Sequence, residues 1–227
     1  MEPVAFYKKF SKEYDERNLY NLLYARWLFT NIIRQINKEK SKILDLGTGT
    51  GELAIRIAKK FPKSEVIGND ISEDMINLAK KKASKMGIKN IKFIVSPMER
   101  LNINKIDFVV SRLAFHYIKD KKFVVSKIYD ALPKKGRLII GDGFHPSKEY
   151  IKEVEKLRMK NPKRAKEFDE SLLESIRRTS KKYSKNRPKE CSISPTDLKA
   201  IMKNVGFKKQ RIVKSLIPKF SVVIGEK

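Results

Sequence analysis

Residues 42–53, KILDLGTGTGEL, join an apolar run to a helical pattern through three glycines at every second position. These glycines are Gly47, Gly49 and Gly51, and Asp45 lies two residues before the first of them. Glycine has no Cβ and adopts a positive φ without strain, so such a turn brings bare backbone against a ligand. The pattern therefore predicts a strand, a tight turn and a helix, with the turn as a binding element.

An acidic residue follows the glycine turn at the spacing of mononucleotide-binding units. Asp70 comes 19 residues after Gly51 and closes a second apolar run, VIGND. In βαβ units an acid at this place accepts hydrogen bonds from ribose hydroxyls. A glycine-rich turn alone is often a tight packing device, but together with Asp70 and the strands that follow it predicts a nucleoside-like ligand.

The rest of the chain alternates short apolar runs with helical patterns. Strands are predicted at ILDL, VIGND, IKFIV, IDFVVS and GRLIIGD, and helices over residues 18–37, 52–61, 73–86, 121–132 and 195–204. Continuous apolar runs are typical of strands covered on both faces, and alternating βα units form a doubly wound parallel sheet. Two final apolar runs around Pro218 predict an antiparallel hairpin, which gives an α/β fold with seven mostly parallel strands.

The sequence predicts a single domain over residues 1–227 with two helical additions. With 41% hydrophobic residues, the chain can bury one core. Residues 1–37 predict an N-terminal helical cap, and residues 147–190, charged and free of glycine, predict a helical insertion after the fifth strand. We expect residues 1–17 of the cap, together with the insertion, to cover the binding edge of the sheet and to exclude water there. The residues expected to line a pocket between these two segments are Phe10, Tyr14, Phe144 and His145.

Composition narrows the class of protein. One cysteine, Cys191, excludes intrachain disulfides, and no Cys/His cluster offers a metal site. The sequence contains no signal-peptide pattern and no run long enough to span a membrane, so we expect a soluble, cytoplasmic protein.

The net charge of +26 favours anionic partners, and residues 177–189 carry seven basic groups without an acid. Nucleic acid is therefore a candidate partner. The alternative explanation of the charge is a lysine-rich, solvated surface.

The spacing D-x-G-x-G-x-G resembles motif I of the class I S-adenosylmethionine-dependent methyltransferases, whereas dinucleotide sites carry G-x-G-x-x-G. The resemblance covers about 190 residues and is strongest to the small-molecule branch that includes ubiquinone- and menaquinone-pathway methyltransferases. It implies the Rossmann-like methyltransferase fold and S-adenosyl-L-methionine as cofactor.

The resemblance also implies roles for individual residues. Asp45 and the backbone of Gly47 are similar to the family's holders of the methionine amino end. Asp70 matches the acid that binds both ribose hydroxyls, and Ile71 matches the apolar residue against the adenine. The implied cofactor-binding residues are Asp45, Gly47, Thr48, Gly49, Gly51, Asp70, Ile71, Met98, Glu99, Ser111 and Arg112.

Two segments bear on the adenine and the acceptor. After the third strand, relatives commonly carry G-D-A-E, but residues 96–99 are S-P-M-E, so we expect the adenine contact from the Met98 backbone and from Glu99. The segment S-R-L-A after the fourth strand lacks the Asn/Asp-Pro-Pro-aromatic run of relatives that methylate exocyclic amino groups of bases or glutamine. Its first residues, Ser111 and Arg112, are implied to lie near the sulfonium.

Methyl transfer needs donor and acceptor held in line in a dry pocket, and a base only where the acceptor loses a proton. His145 is the first candidate for that base by position and Tyr14 the second, while His116 is predicted to be structural. Three functions stay open: methylation of a small molecule, methylation of RNA or a nucleic-acid-associated protein, and a non-catalytic S-adenosylmethionine-binding module.

Overall fold

A computed structural model of the chain describes residues 5–6, 22–179 and 188–227. Its strands and helices alternate as predicted through the fifth strand. The elements are α1 (Leu23–Ile33), β1 (Lys42–Leu46), α2 (Glu52–Lys60), β2 (Glu65–Asp70), α3 (Glu73–Lys85), β3 (Ile91–Val95), β4 (Phe108–Arg112), a 3₁₀ turn (Phe115–Tyr117), α4 (Lys121–Ala131), β5 (Arg137–Gly143), α5 (Lys148–Lys160), α6 (Pro162–Arg178), α7 (Pro195–Val205), β6 (Lys209–Lys214) and β7 (Phe220–Glu226). None of these helices is long and apolar enough to cross a membrane.

The strands form a seven-stranded sheet in the order β3-β2-β1-β4-β5-β7-β6. Strands β1 to β5 are parallel, and β7 is antiparallel to both β5 and β6. The predicted doubly wound sheet and C-terminal hairpin are therefore confirmed. The strand order reverses between β1 and β4, and ligands of open α/β sheets bind at the carboxyl edge at such a reversal.

Two apolar layers cover the faces of the sheet. Successive residues of β1 show the division, since Ile43 belongs to one layer and Leu44 to the other. The first layer contains side chains of α1 and α2, and the second contains side chains of α4 and α7. Because side chains alternate along a strand, the adjacent apolar residues Ile43 and Leu44 are what a sheet covered on both faces requires.

The helical insertion after β5 is attached to α1 and to the β6–β7 connection. Phe168 of α6 is buried in the first apolar layer, and the Tyr24 hydroxyl lies 3.0 Å from the Ser175 hydroxyl. The guanidinium of Arg158 donates to the Leu216 carbonyl at 2.6 Å. The insertion therefore packs beside α1. Its role as a cover of the binding edge stays a prediction.

Helix ends follow local hydrogen bonding. The predicted start of α7 is confirmed by a capping box, in which the Ser194 hydroxyl accepts the Asp197 N–H at 3.0 Å and the Asp197 carboxylate accepts the Ser194 N–H at 3.3 Å. Helix α1 ends at Ile33, four residues before its predicted end. The Gln35 side-chain amide donates to the Asn31 carbonyl at 2.9 Å. In a continuing helix this carbonyl would accept the Gln35 backbone N–H instead. The predicted residues 18–21 lie outside the described part.

Candidate active site

The glycine turn lies between β1 and α2 at the carboxyl edge of the sheet. Its glycines all adopt positive φ, at 67° for Gly47, 55° for Gly49 and 81° for Gly51. A Cβ on Gly47 would come 2.3 Å from the Ala114 Cβ, and one on Gly51 would come 2.9 Å from the Ala79 Cβ. A Cβ on Gly49 would meet no atom within 4 Å. The first and third glycines therefore allow close packing, whereas Gly49 faces open space that a ligand can use.

Asp70 ends β2 and binds two backbone N–H groups. Its Oδ2 accepts the Gly49 N–H and its Oδ1 accepts the Ser72 N–H, each at 2.9 Å. Burial raises the pKa of the Asp70 carboxyl, and these two donors work against that rise. Each carboxylate oxygen has a second lone pair for another donor. The next side chain, Ile71, is 38% exposed and offers an apolar surface beside this carboxylate.

Asp45 is buried at the end of β1 with one oxygen unsatisfied. Its Oδ2 accepts the Thr48 hydroxyl at 2.7 Å, while Oδ1 has no hydrogen-bond partner among the described residues. Burial raises the pKa of Asp45 to about 7, although Thr48 and Arg112 act to lower it. An unpaired buried polar atom costs about 1–3 kcal/mol, so this oxygen fits an N–H-bearing or cationic ligand group.

The end of β4 is tied to β1 and to α1. The Ser111 hydroxyl donates to the Leu46 carbonyl at 2.9 Å, so this side chain joins the two strand ends. The Arg112 guanidinium lies 4.4 Å from the centre of the Phe29 ring and acts electrostatically on Asp45. These residues lie at the predicted edge, where they shape the surroundings of Asp45.

The loop after β3 contributes one side chain to the turn. Met98 is half-buried, and its Cε lies 2.6 Å from the place where a Cβ of Gly47 would be. Glu99 is exposed, and its carbonyl accepts the Lys127 ammonium at 2.9 Å. Met98 therefore packs against the glycine turn.

A buried histidine–aspartate pair joins the 3₁₀ turn to the end of β5. His116 Nδ1 lies 2.7 Å from Asp142 Oδ1, and the His116 backbone N–H donates to Asp142 Oδ2 at 2.9 Å. The two residues are 6% and 2% exposed. Nε2 of His116 has no hydrogen-bond partner within the described ranges. Since Asp142 engages Nδ1, Nε2 is the nitrogen left for proton exchange.

This pair lies close to the glycine turn because Ala114, two residues before His116, packs directly on Gly47. A narrow pocket beside the pair is lined by Phe115, His116, Lys121, Asp142, Gly143, Phe144, Ser192, Ile193 and Leu198. The sequence signal for the pair was weak. No local pattern indicated that Asp142 bonds His116.

A buried lysine, which no sequence pattern indicated, binds the backbone of the same turn. Lys121 Nζ donates to the Ile118 carbonyl at 2.6 Å and to the Cys191 carbonyl at 2.5 Å. Burial lowers the pKa of Lys121. The Cys191 N–H in turn donates to the His116 carbonyl at 2.8 Å. The segment after the insertion is thus fastened to the His116 turn.

Of the two residues predicted to be catalytic, His145 lies in the described part of the chain and Tyr14 does not. Phe10 also lies outside the described residues. The His145 side chain is exposed, and its backbone N–H donates to the Ile193 carbonyl at 3.1 Å. Phe144 is buried beside the His116 pocket. Of the two histidines, His116 is therefore the one with a buried imidazole at the active edge.

The reversed strand order, the glycine turn at the reversal and the acid ending β2 define a Rossmann-like class of nucleoside-cofactor protein. Residues 37–206 match a family model described as a methyltransferase domain. The chain belongs to this family, within the class I S-adenosylmethionine-dependent methyltransferases.

The relatives that this chain matches are named for different methyl acceptors. The ubiquinone/menaquinone biosynthesis C-methyltransferase of Rickettsia prowazekii is 38% identical over 101 residues, which are 40% of this chain and 41% of that protein. The release factor glutamine methyltransferase of Escherichia coli is 36% identical over 69 residues, 30% and 25% of the two chains. These matches span less than half of each relative's length.

A solved structure with the same fold covers the whole chain. Magnesium protoporphyrin IX methyltransferase from Synechocystis PCC 6803, with bound SAH, has a TM-score of 0.67 at 16% identity and covers 100% of both chains. S-adenosylmethionine is the cofactor of the class. The open face of Gly49, the unpaired Asp45 oxygen and the remaining lone pairs of Asp70 fit such a cofactor.

We expect Gly49→Val to fold and to lose cofactor binding. The left-handed backbone costs a side chain roughly 1–2 kcal/mol, but the valine would occupy the space that Gly49 leaves open. Calorimetric titration with S-adenosylhomocysteine measures the loss. Gly87→Val is a matched control, because Gly87 has a φ of 66° and a Cβ there also meets nothing within 4 Å. Equal loss of affinity in both variants would contradict a binding role for Gly49.

We expect Asp45 to make cofactor affinity depend on pH around 7. A cationic ligand group at Oδ1 favours the carboxylate, so binding lowers the Asp45 pKa from about 7 and releases a proton. Affinity should then rise about tenfold between roughly pH 6 and pH 8 through this group alone. Calorimetry at pH 6 in two buffers of different ionisation enthalpy counts the proton. Asp45→Asn should remove this contribution, and an unchanged pH dependence in that variant would contradict it.

Proposed function

We propose that the protein transfers the methyl group of S-adenosylmethionine to a small-molecule acceptor held beside His116. The observation that carries this proposal is the buried His116–Asp142 pair, which lies next to the glycine turn and borders a narrow pocket. Buried aromatic side chains, Phe115 and Phe144, line the same pocket. The pocket itself has a volume of about 10 Å³, too small to enclose a ligand, so the acceptor would lie at its mouth against these side chains.

The comparisons support this acceptor class without deciding it. The names of the Rickettsia and Synechocystis proteins refer to quinones and a porphyrin, whereas the Escherichia coli relative is named for a protein glutamine. The segment S-R-L-A, which begins with the last two residues of β4, lacks the Asn/Asp-Pro-Pro-aromatic run expected for a glutamine or base amino group. We therefore favour the small-molecule acceptor.

We propose that the cofactor is held from three directions. The unpaired Oδ1 of Asp45, with Thr48 and the Gly47 backbone, would take the methionine amino end. Asp70 would accept the two ribose hydroxyls through charge-assisted hydrogen bonds, which fix one orientation of the sugar. The adenine would lie against Ile71.

The remaining predicted contacts divide into direct and supporting ones. We propose that the half-buried Met98 flanks the adenine and that the backbone of Gly49 approaches the cofactor directly. Gly51, Ser111 and Arg112 would support the site through packing and electrostatics. The exposed Glu99 would contribute at the rim.

The bound cofactor supplies a methyl group already activated on a sulfonium. The protein's contribution is to orient the acceptor, exclude water and hold a proton where the acceptor must lose one. His116 Nε2 is suited to take that proton, because Asp142 engages Nδ1 and stabilises the imidazolium that forms. We propose His116 for this role, ahead of the exposed His145 and of Tyr14.

We expect the purified protein to label a small molecule. It is incubated with S-adenosylmethionine carrying a tritiated methyl group and, separately, with the dialysable, RNA and protein fractions of a cell extract. Radioactivity should appear in the dialysable fraction and disappear with Asp70→Ala, because that variant lacks the carboxylate proposed to bind ribose. Labelling confined to RNA or protein would overturn the small-molecule acceptor. Tight cofactor binding with no labelled product would favour a non-catalytic module.

We expect His116→Gln to lower kcat by about 100-fold or more, the usual contribution of a general base. Cofactor affinity should change little, because His116 is not among the residues proposed to bind it. The deficit should shrink as pH rises, since hydroxide deprotonates the acceptor directly. His145→Gln is the comparison variant. A larger kcat loss in His145→Gln, or a deficit in His116→Gln that is independent of pH, would contradict the role of His116.

A further inference from the structure

A basic groove lies between α1, α6 and the end of β6, apart from the active site. It encloses a cavity of about 410 Å³, and none of the residues that line it belongs to the cofactor site or to the His116 pocket. Four of its ten lining residues are cationic and none is acidic. The cations are Arg26, Arg34, Arg164 and Lys214, and we call this feature the α1–α6 groove.

Most of this positive charge lacks an acidic partner among the residues that the structure describes. Arg26, Arg34 and Arg164 are exposed, and none forms a salt bridge with another residue of the described ranges. The nearby Arg158, by contrast, pairs with Asp169 at 2.6 Å, and Lys214 pairs with Glu153 at 2.5 Å. Three guanidiniums around one cavity, without acidic partners in the described part of the chain, favour an anionic occupant.

The groove uses arginine although the chain is rich in lysine. The sequence contains 13 arginines and 39 lysines, yet three of the four cations here are arginine. A planar guanidinium pairs with two oxygens of a phosphate or carboxylate at once, which an ammonium does not. Arg26 and Arg34 are separated by eight residues, roughly 12 Å along a helix. A ligand with anionic groups repeated along its length therefore fits better than a single phosphate.

An aromatic wall accompanies the cations. Trp27 is half-buried, and its indole N–H donates to no other residue in the described part of the chain. Phe168 and Leu216 continue this wall. Cations that follow a phosphate backbone beside a ring that stacks on bases are the combination that holds single-stranded nucleic acid. A membrane surface or an acidic peptide needs the charge but gives the indole no base to stack on.

We propose that the α1–α6 groove binds a single-stranded nucleic-acid segment, with phosphates on Arg26, Arg34 and Arg164 and a base against Trp27. The net charge of +26 adds long-range attraction to the same ligand. This assigns a second binding surface beyond the proposed function. It does not require that the nucleic acid accept a methyl group.

The chain's single tryptophan, Trp27, makes the test direct, because its fluorescence reports on the groove. The full-length protein is titrated with oligouridylate and with oligothymidylate of equal length at several salt concentrations. We expect Trp27 emission to change on binding and affinity to fall with salt. Comparison of the two oligonucleotides shows whether RNA or DNA is preferred. Arg26→Gln combined with Arg34→Gln should reduce the salt slope by about 1.4, since each single-strand phosphate contact contributes about 0.7.

Lys199→Gln with Lys203→Gln is the matched control, because both lysines are exposed on α7 in the opposite layer and their loss removes the same charge. Equal weakening by the two pairs would overturn the proposal, as would unchanged Trp27 emission at saturation. Equal affinity for polyglutamate or for anionic vesicles would also overturn it. Arg164→Gln provides a second variant if the arginine pair does not fold. Methyl transfer to a small molecule should persist in the arginine variants, which separates this proposal from the proposed function.

Discussion

The active edge depends on one carboxylate, that of Asp70, which holds the glycine turn against the end of β2. It accepts the Gly49 N–H and the Ser72 N–H, so the turn and the start of α3 share one anchor. The Thr48 N–H adds a bond to the Asn69 carbonyl at 2.8 Å. Glycines at positive φ let the backbone come this close. These hydrogen bonds hold the turn in the conformation that exposes its backbone to a ligand.

The same edge of the sheet contains buried carboxyl groups, and burying them without a ligand is unfavourable for folding. Burial raises the pKa of both Asp45 and Asp70, and one Asp45 oxygen has no partner among the described residues. Asp142 is buried in the same region but is satisfied by His116 and the Gly143 N–H. Perturbed and unpaired groups cluster where ligands supply the missing contacts. The sheet tolerates them because its two apolar layers are otherwise continuous.

Prediction from the sequence succeeded where the signal is local. The spacing of Gly47, Gly49 and Gly51 indicated the tight turn between β1 and α2, and Ser194 with Asp197 indicated the start of α7. The His116–Asp142 pair was not predicted, because the two residues are 26 positions apart. The cations of the α1–α6 groove come from three separate elements, and no local pattern joins them.

The sequence by itself determined the order of strands and helices, the cofactor class and the residues of the glycine turn. Steric and hydrogen-bonding preferences over a few residues suffice for the elements and the turn, whereas the cofactor class follows from the resemblance of the glycine spacing to a known family. The tertiary structure decided that β7 inserts between β5 and β6, that His116 meets Asp142, and that α6 lies beside α1. Each of these depends on which distant apolar surfaces bury one another, and that choice belongs to the packed chain as a whole.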